Sequence, residues 1–360
     1  MDRTAAPLIP RIPERQEKRR IRPKTVVVCV LALAGLVWVF HDVRVHPLLA
    51  AMAIANWRYV ALAILLDVLT YVLQGLRWSL LLAPVRRLSI LKAAQGIYVG
   101  LFINELVPLR PGELVRAFLA GHWLSTSFNS ILPSIAVERL LDGVWVTVGI
   151  SVSAMFFPLP RALVGAGGAL GIIILLATVA FLWMIFRHQS TRQPEEHEPR
   201  SLLVSKIFSF ISQFSDGVRE IGFSNRLYSA VALSCGMLVS QILGLWFLMH
   251  ACRIALPLFA AGVAFLIVRV GTMIPNAPAN VGSFQFFTFL ALRSFGVEKT
   301  VAAGFSIVYF AALTLPLWTL GLLSLTGSGV SLSRIPMIHQ LRNSRVLGNR
   351  MRLKPSTSPK

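Results

Sequence analysis

Long apolar runs with almost no charge recur along the chain and restrict its fold more than any other feature. Residues 25–40 read TVVVCVLALAGLVWVF, and comparable runs occupy 59–76, 92–108, 133–157, 162–186, 227–249, 255–275, 280–295 and 300–326. A hydrocarbon core about 30 Å thick takes ~20 helical residues to cross, which most of these runs supply or nearly supply. Lipid cannot hydrogen-bond a bare backbone, and the runs are too continuously apolar for the alternating strands of a barrel, so they are read as helices. A composition of 55% apolar and 14% charged residues agrees. The expected class is an all-α polytopic membrane protein.

The net charge of +20 would suggest a nucleic-acid partner if it were spread over a soluble surface. Much of the excess is instead in two tails. Residues 1–24 carry Arg3, Arg11, Arg15, Lys18, Arg19, Arg20, Arg22 and Lys24, and residues 331–360 are basic without any acid. Basic tails beside spanning helices act as topology signals and contacts for anionic lipid, so no nucleic acid is expected. The N-terminal run is longer than a signal-peptide core and follows a long basic region, which favours an uncleaved anchor. Cys29, Cys235 and Cys252 are far apart and form neither a disulfide framework nor a metal-ligand pattern. The chain has no phosphate-binding loop, His-Glu-x-x-His or Gly-x-Ser-x-Gly. No metal, cofactor or catalytic activity is expected.

Placing both tails in the cytoplasm organises the rest. Residues 1–24 become one basic tail, 25–326 the transmembrane domain and 327–360 the second tail. The span ending near residue 76 delivers Arg77, Arg86, Arg87 and Lys92 to the cytoplasmic side. The polar segment 187–226 stays cytoplasmic if the interrupted stretches 92–124 and 255–295 each dip into the membrane and return. Its apolar stripe at Leu203, Ile207, Phe210, Ile211, Phe214, Val218 and Ile221 is read as an interfacial helix. The resulting layout has six full spans and two re-entrant broken hairpins, about eight hydrophobic segments by hydropathy, with both termini in the cytoplasm. The membrane is taken to be a bacterial inner membrane.

The two interruptions have related punctuation. The first reads NELVPLRPGE from Asn104 to Glu113, and the second PNAPANVGSFQ from Pro275 to Gln285. Paired Gly/Pro-broken segments in corresponding halves of a membrane chain point to an inverted-repeat transporter and its binding site. Two ordinary helices with kinks are the simpler alternative. In the first stretch, Pro111 suits a first helical turn, so a half-helix would start at mid-membrane with Gly112 and Glu113 at its electropositive end. Arg110 beside it suits two-pronged phosphate recognition, or an ion pair with Glu113 or Glu138 that fixes the fold. Glu113 equally suits a first-turn carboxylate answering the helix dipole. Glu138 and Asp142, four apart, share a helix face with Arg139 adjacent, fit either to handle protons or to neutralise Arg110, Arg116 or Arg139. In the second stretch Asn280 is expected to cap the following half-helix, with Gln285 one turn in. Arg269 interrupts FLIVRVGTMIP and calls for an acidic partner, an anionic ligand or a route to the interface. The expected substrate-binding set is Asn104, Arg110, Gly112, Glu113, Arg116, Arg269, Asn276, Asn280, Gly282 and Gln285.

Asn104, Pro108, Arg110, Gly112-Glu113 and Arg116, then Glu138-Arg139-x-x-Asp142, then Pro275, Pro278 and Gly282, form an ordered set. It resembles the lysylphosphatidylglycerol synthase transmembrane-region family, also known as uncharacterised family 0104, over roughly residues 55–326. The resemblance implies a flippase-like multi-pass inner-membrane protein. Its relatives move aminoacylated phospholipid between leaflets or accompany polyprenyl-linked sugar and hopanoid pathways. Where relatives often carry Gly-Gly and a following Glu, this chain has Ala279-Asn280 and Gln285, and it lacks their arginine near Tyr309 while having Arg269. With no aminoacyl-transferase domain in the sequence, the synthase activity in the family's name is not expected here.

The favoured reading is a translocase of an anionic lipid or lipid-linked intermediate, with a phospholipid, polyprenyl or hopanoid-type lipid as partner. A non-catalytic membrane subunit, or a scaffold for a lipid-modifying enzyme or glycosyltransferase, is the alternative from another class. A membrane transferase using Glu138 or Asp142 as general base is the weakest, because no acceptor or cofactor motif accompanies them.

Overall fold

The computed structural model describes residues 56–107, 110–157, 161–186, 214, 216–222, 224–273 and 278–329. The expected first span at 25–40, residues 187–213 of the polar segment, residues 1–24 and 330–360 of the tails, and Asn276 lie outside the described residues. The described chain is helical: α1 (Trp57–Leu82), α2 (Ile90–Leu106), α3 (Gly112–Leu124), α4 (Phe128–Phe156), α5 (Arg161–Phe186), α6 (Asn225–Ala251), α7 (Leu258–Gly271), α8 (Ser283–Ser294) and α9 (Lys299–Thr326), with a 3-10 turn at Pro278–Asn280 before α8.

Four helix starts are fixed by short polar side chains. Asn56, Ser89, Ser127 and Ser224 accept from the amides of Arg58, Lys92, Ser130 and Leu227 at 3.0–3.4 Å, satisfying donors that the helix itself leaves open. Among the described residues α1, α6 and α9 are long and apolar enough to cross a bilayer, while α7 and the Gly167–Trp183 part of α5 are shorter apolar helices. The outer faces are greasy. Ile172, Ile173, Leu175, Leu176 and Val179 on α5, and Leu315, Leu322 and Leu323 on α9, are largely uncovered by protein. Buried polar groups and bare apolar faces together mark an integral membrane protein, a soluble helix turned inside out.

Helix α1 shows this reversal best. Asp67, Thr70, Gln74 and Arg77 recur at helical spacing and are all buried, whereas Leu65, Leu69 and Val72 face outward. Arg77 therefore does not mark the cytoplasmic end of a span, as its position after the apolar run suggested. It is wholly buried and ion-paired in the bundle. Without a hydrophobic drive between helices in lipid, close approach of small residues does much of the packing. Gly244 of α6 rests on the carbonyl of Ala63 in α1, and Gly100 of α2 lies against the backbone of Gly112 in α3.

Contacts between helix ends sort the bundle into two ends. At one, the start of α2 and the end of α3 meet the end of α9: Gln95 Nε2 donates to the Ser324 carbonyl at 2.8 Å and Trp123 Nε1 to that of Ser328 at 3.2 Å. The Arg86 guanidinium of the α1–α2 turn also donates to the carbonyl of Leu124. At the opposite end, Phe157 after α4 stacks on Phe295 after α8, and Phe156 meets Phe259 at the start of α7. There too Tyr59 stacks on Phe247. Helices α2 and α3 pack together, as do α7 and α8. The tail of the predicted amphipathic stripe, Val218 and Ile221, is buried, with Ile221 packed against Leu81, Val137 and Leu227.

Candidate functional site

The breaks between α2 and α3 and between α7 and α8 meet. Arg110 Nη2 donates to Asn280 Oδ1 at 3.3 Å, joining residues 170 positions apart. The backbone at both points is left-handed: φ is 53° at Arg110, 58° at Ala279, 53° at Asn280 and 89° at Gly282. Such conformations cost non-glycine residues free energy and persist where the surrounding structure imposes them, often at binding sites.

The half-helix starts are built differently from the sequence expectation. Asn104 Oδ1 accepts the Gly112 amide at 2.6 Å, so the first donor of α3 is answered within the fold. Asn280 does not cap α8. Gly282 holds that position, and Gln285 Oε1 reaches back to accept the Gly282 amide at 2.8 Å. The correction has a steric cause: Asn280 is itself the last residue of the 3-10 turn Pro278–Asn280, two positions before the cap, and the glycine at φ 89° lets the chain turn into α8.

A cavity of about 230 Å³ lies beside the meeting point. Asn104, Arg110, Glu113, Arg139, Asp142 and Arg269 of the sequence-predicted residues line it, together with Glu105, Gln74, Ser234 and Gln241. Gly112, Gly282 and Gln285 do not line it: Gly112 is bonded to the lining residue Asn104, Gly282 and Gln285 to each other, and Asn280 is joined to it through Arg110. Arg116 and Glu138 lie deeper. Arg116 is 3% exposed, bonded through both terminal nitrogens to Glu138 and laid over Trp78 with its guanidinium carbon 4.4 Å from the ring centre. Glu138, fully buried, also accepts from Arg77 at 3.0 Å and Gln74 at 2.9 Å. Arg77 in turn donates to Asp142 at 2.6 Å and Ser234 at 2.8 Å.

These pairs divide the charges into two groups. Arg77, Arg116 and Arg139 are answered by Glu138, Asp142 and Glu113, the Arg139 contacts being 3.3 Å to Asp142 and 3.8 Å to Glu113. Arg110 and Arg269 have no carboxylate within ion-pair distance among the described residues, although both line the cavity. Each presents a guanidinium suited to paired hydrogen bonds with an oxyanion.

Two further spaces adjoin the cavity. One, of about 100 Å³, shares Tyr71, Gln241, Arg269 and Thr272 with it and adds Asp67 and Tyr309. The other, about 490 Å³ and almost wholly apolar, runs along α4, α6 and α7 past Gly149, Ile242 and Gly262. Trp145 and Leu238 belong to both this groove and the polar cavity. Sequence reasoning missed Asp67, Gln74 and Arg77. Their signal was the polar stripe of α1, at the same helical spacing used elsewhere to find apolar faces.

A helical bundle with a charged chamber at two broken helix pairs defines a class: integral membrane proteins built around a polar interior site. The family can be named as well. The sequence profile described as Lysylphosphatidylglycerol synthase TM region matches residues 25–321, and the chain belongs to that family. It is 23% identical over 310 residues to a UPF0104 membrane protein of Methanothermobacter thermautotrophicus, covering 79% of this chain and 88% of that one. It is 25% identical over 281 residues to a UPF0104 membrane protein of Pyrococcus horikoshii, covering 71% and 82%.

Proposed function

We propose that this chain is a translocase that carries an anionic lipid or lipid-linked intermediate between membrane leaflets, without catalysing a reaction of its own. The supporting observation is the junction of two unlike spaces. A chamber with two arginines, neither paired to a carboxylate among the described residues, shares Trp145 and Leu238 with an apolar groove. A phosphate head held by Arg110 and Arg269 and a hydrocarbon tail along α4, α6 and α7 would use both at once, and a free ion would use only the first.

In the cytoplasmic membrane, with both termini inside, α2–α3 and α7–α8 are hairpins that dip from opposite faces and meet in the middle. The end-to-end contacts of the bundle support this layout, since α2 starts and α3 ends at one end while α7 starts and α8 ends at the other. Opposed broken hairpins suit alternating access around a fixed site. In a background with Cys29, Cys235 and Cys252 replaced by serine, a cysteine at Ser125 will label from the cytoplasmic side and one at Lys299 from the outside. Labelling of both from the same side would reject opposed dips.

The functional test is leaflet exchange of fluorescent phosphatidylglycerol in proteoliposomes. Each lost charge-assisted hydrogen-bonding group removes about 1.5–3 kcal/mol of binding, roughly a ten- to hundredfold effect. Arg110→Ala and Arg269→Ala will each slow exchange to that degree while retaining the wild-type melting temperature. Wild-type rates in the double variant would refute the head-group site.

A further inference from the structure

Asp67 stands apart from the arginine-held acids of α4. It is 7% exposed, lies midway along α1 and lines the smaller cavity, yet its Oδ2 has no hydrogen-bond partner among the described residues. Glu138 and Asp142, by contrast, are each held by arginines. Arg269 of α7 lines both spaces, so one side chain reaches the cavity that holds Asp67 and also the chamber.

The groups around Asp67 limit what can answer its charge. Its own helix supplies Tyr71, whose ring meets Tyr98 of α2 edge-on at 5.5 Å, and α9 supplies Tyr309. Helix α6 offers Ser240 and Gln241, and α8 offers Phe284, none of them ionisable. The charged residues of α4 are engaged by Arg77, Arg116 and Glu113. Glu105 of α2 lines the chamber and not the smaller space. Arg269 is thus the cation available to Asp67.

Charge balance gives this arrangement a consequence. Outside the balanced cluster remain Arg110 and Arg269 against Glu105 and Asp67. With both acids ionised these four carry no net charge, and an anionic guest would enter a site with nothing left to neutralise it. With Asp67 protonated, the site carries one positive charge, the complement of a phosphodiester. Burying an unpaired charge is costly, and protonation or pairing removes that cost.

Accepting the head-group site proposed above, we infer that Asp67 is a proton-carrying group that exchanges with the lipid phosphate for Arg269, so that loading an anionic head takes up one proton. In the loaded state the phosphate holds Arg269 and the Asp67 carboxyl keeps its proton. When the head leaves, Arg269 turns to the Asp67 carboxylate and the proton passes to water. Translocation of a monoanionic lipid is then electroneutral and coupled to a proton movement.

The test is binding of dioctanoyl phosphatidylglycerol, a phosphodiester that stays singly charged between about pH 5 and about pH 9, to the full chain in detergent. Calorimetry in two buffers of different ionisation enthalpy counts the protons. Wild type will take up about one proton per lipid bound, and its affinity will fall with rising pH, to about tenfold per unit. Asp67→Asn, which keeps the shape and cannot ionise, will bind with no proton uptake and a flat pH profile. Tight wild-type binding with no proton uptake would overturn the inference while leaving the lipid site intact. So would a loss of uptake confined to Glu105→Gln, which would put the proton on Glu105. Absence of saturable wild-type binding would instead overturn the head-group site beneath it.

Discussion

Glu138→Ala will be the most destabilising single substitution in the polar interior. The wild-type carboxylate is fully buried and holds two arginines at once, with Arg77 at 3.0 Å and Arg116 on both its terminal nitrogens. Removing it leaves Arg116 with no ion-pair partner among the described residues, at 3% exposure and between α3 and α4. Breaking a buried ion pair from one side costs roughly 3–5 kcal/mol, because the remaining charge stays out of water. Gln74 also loses the acceptor of its amide. The variant is expected to lose its monodisperse profile in detergent and to melt far below wild type. Arg116→Met added to Glu138→Ala will restore part of the loss, since it removes the orphaned charge. A wild-type melting temperature for Glu138→Ala alone would show that these contacts do not stabilise the fold.

The same network explains why Asp142 will behave differently. Its side chain is 19% exposed, it lines the chamber, and its partner Arg77 keeps Glu138 and Ser234 when Asp142 is removed. Substitution there leaves Arg139 with only its 3.8 Å contact to Glu113, altering the proposed head-group site more than the stability of the bundle. Four residues along one helix separate an acid that fastens the bundle from one that shapes its cavity.

Sequence patterning gave away the helices readily, because lipid allows an exposed apolar run few alternatives. The two breaks were legible from clustering: prolines and a glycine fall together at residues 108–112 and 275–282, whereas the lone Pro133 and Pro316 are accommodated inside α4 and α9. Which residues reach the cavity was less so. Asn104, Arg110 and Arg269 line it, but Arg116, one turn into α3, points away to Glu138 on a helix whose placement no local pattern specifies. The role of Arg77 was hidden by its position after an apolar run, where an arginine can as easily reach the membrane surface. Only the packing of α1 against α4 and α6 brings Glu138, Asp142 and Ser234 around it. Asp67 was detectable from the rule that identified Arg269, a lone charge in an apolar run. It was overlooked because its span had no breaker to draw attention to it.

Gly112→Ala will collapse the first break. A β-carbon at Gly112 would lie 2.0 Å from the Gly100 carbonyl oxygen, 2.6 Å from its carbon and 2.7 Å from Asn104 Oδ1. Two of those atoms are backbone in the middle of α2, so no side chain can turn aside to make room. Helix α3 must move away, which removes Asn104 from the Gly112 amide and carries Arg110 from Asn280. Overpacking usually costs about 1–3 kcal/mol and sometimes more, and a clash with rigid backbone belongs at the upper end. The variant will melt well below wild type and lose leaflet exchange even where enough folded protein is recovered to assay. Gly165→Ala on α5 provides the comparison, because a β-carbon there meets nothing within 4 Å and alanine favours the helix by about 1 kcal/mol. It should be neutral or slightly stabilising, with exchange unchanged. If Gly112→Ala matched it on both measures, α2 and α3 could not be in the close contact that brings Arg110 to the second break.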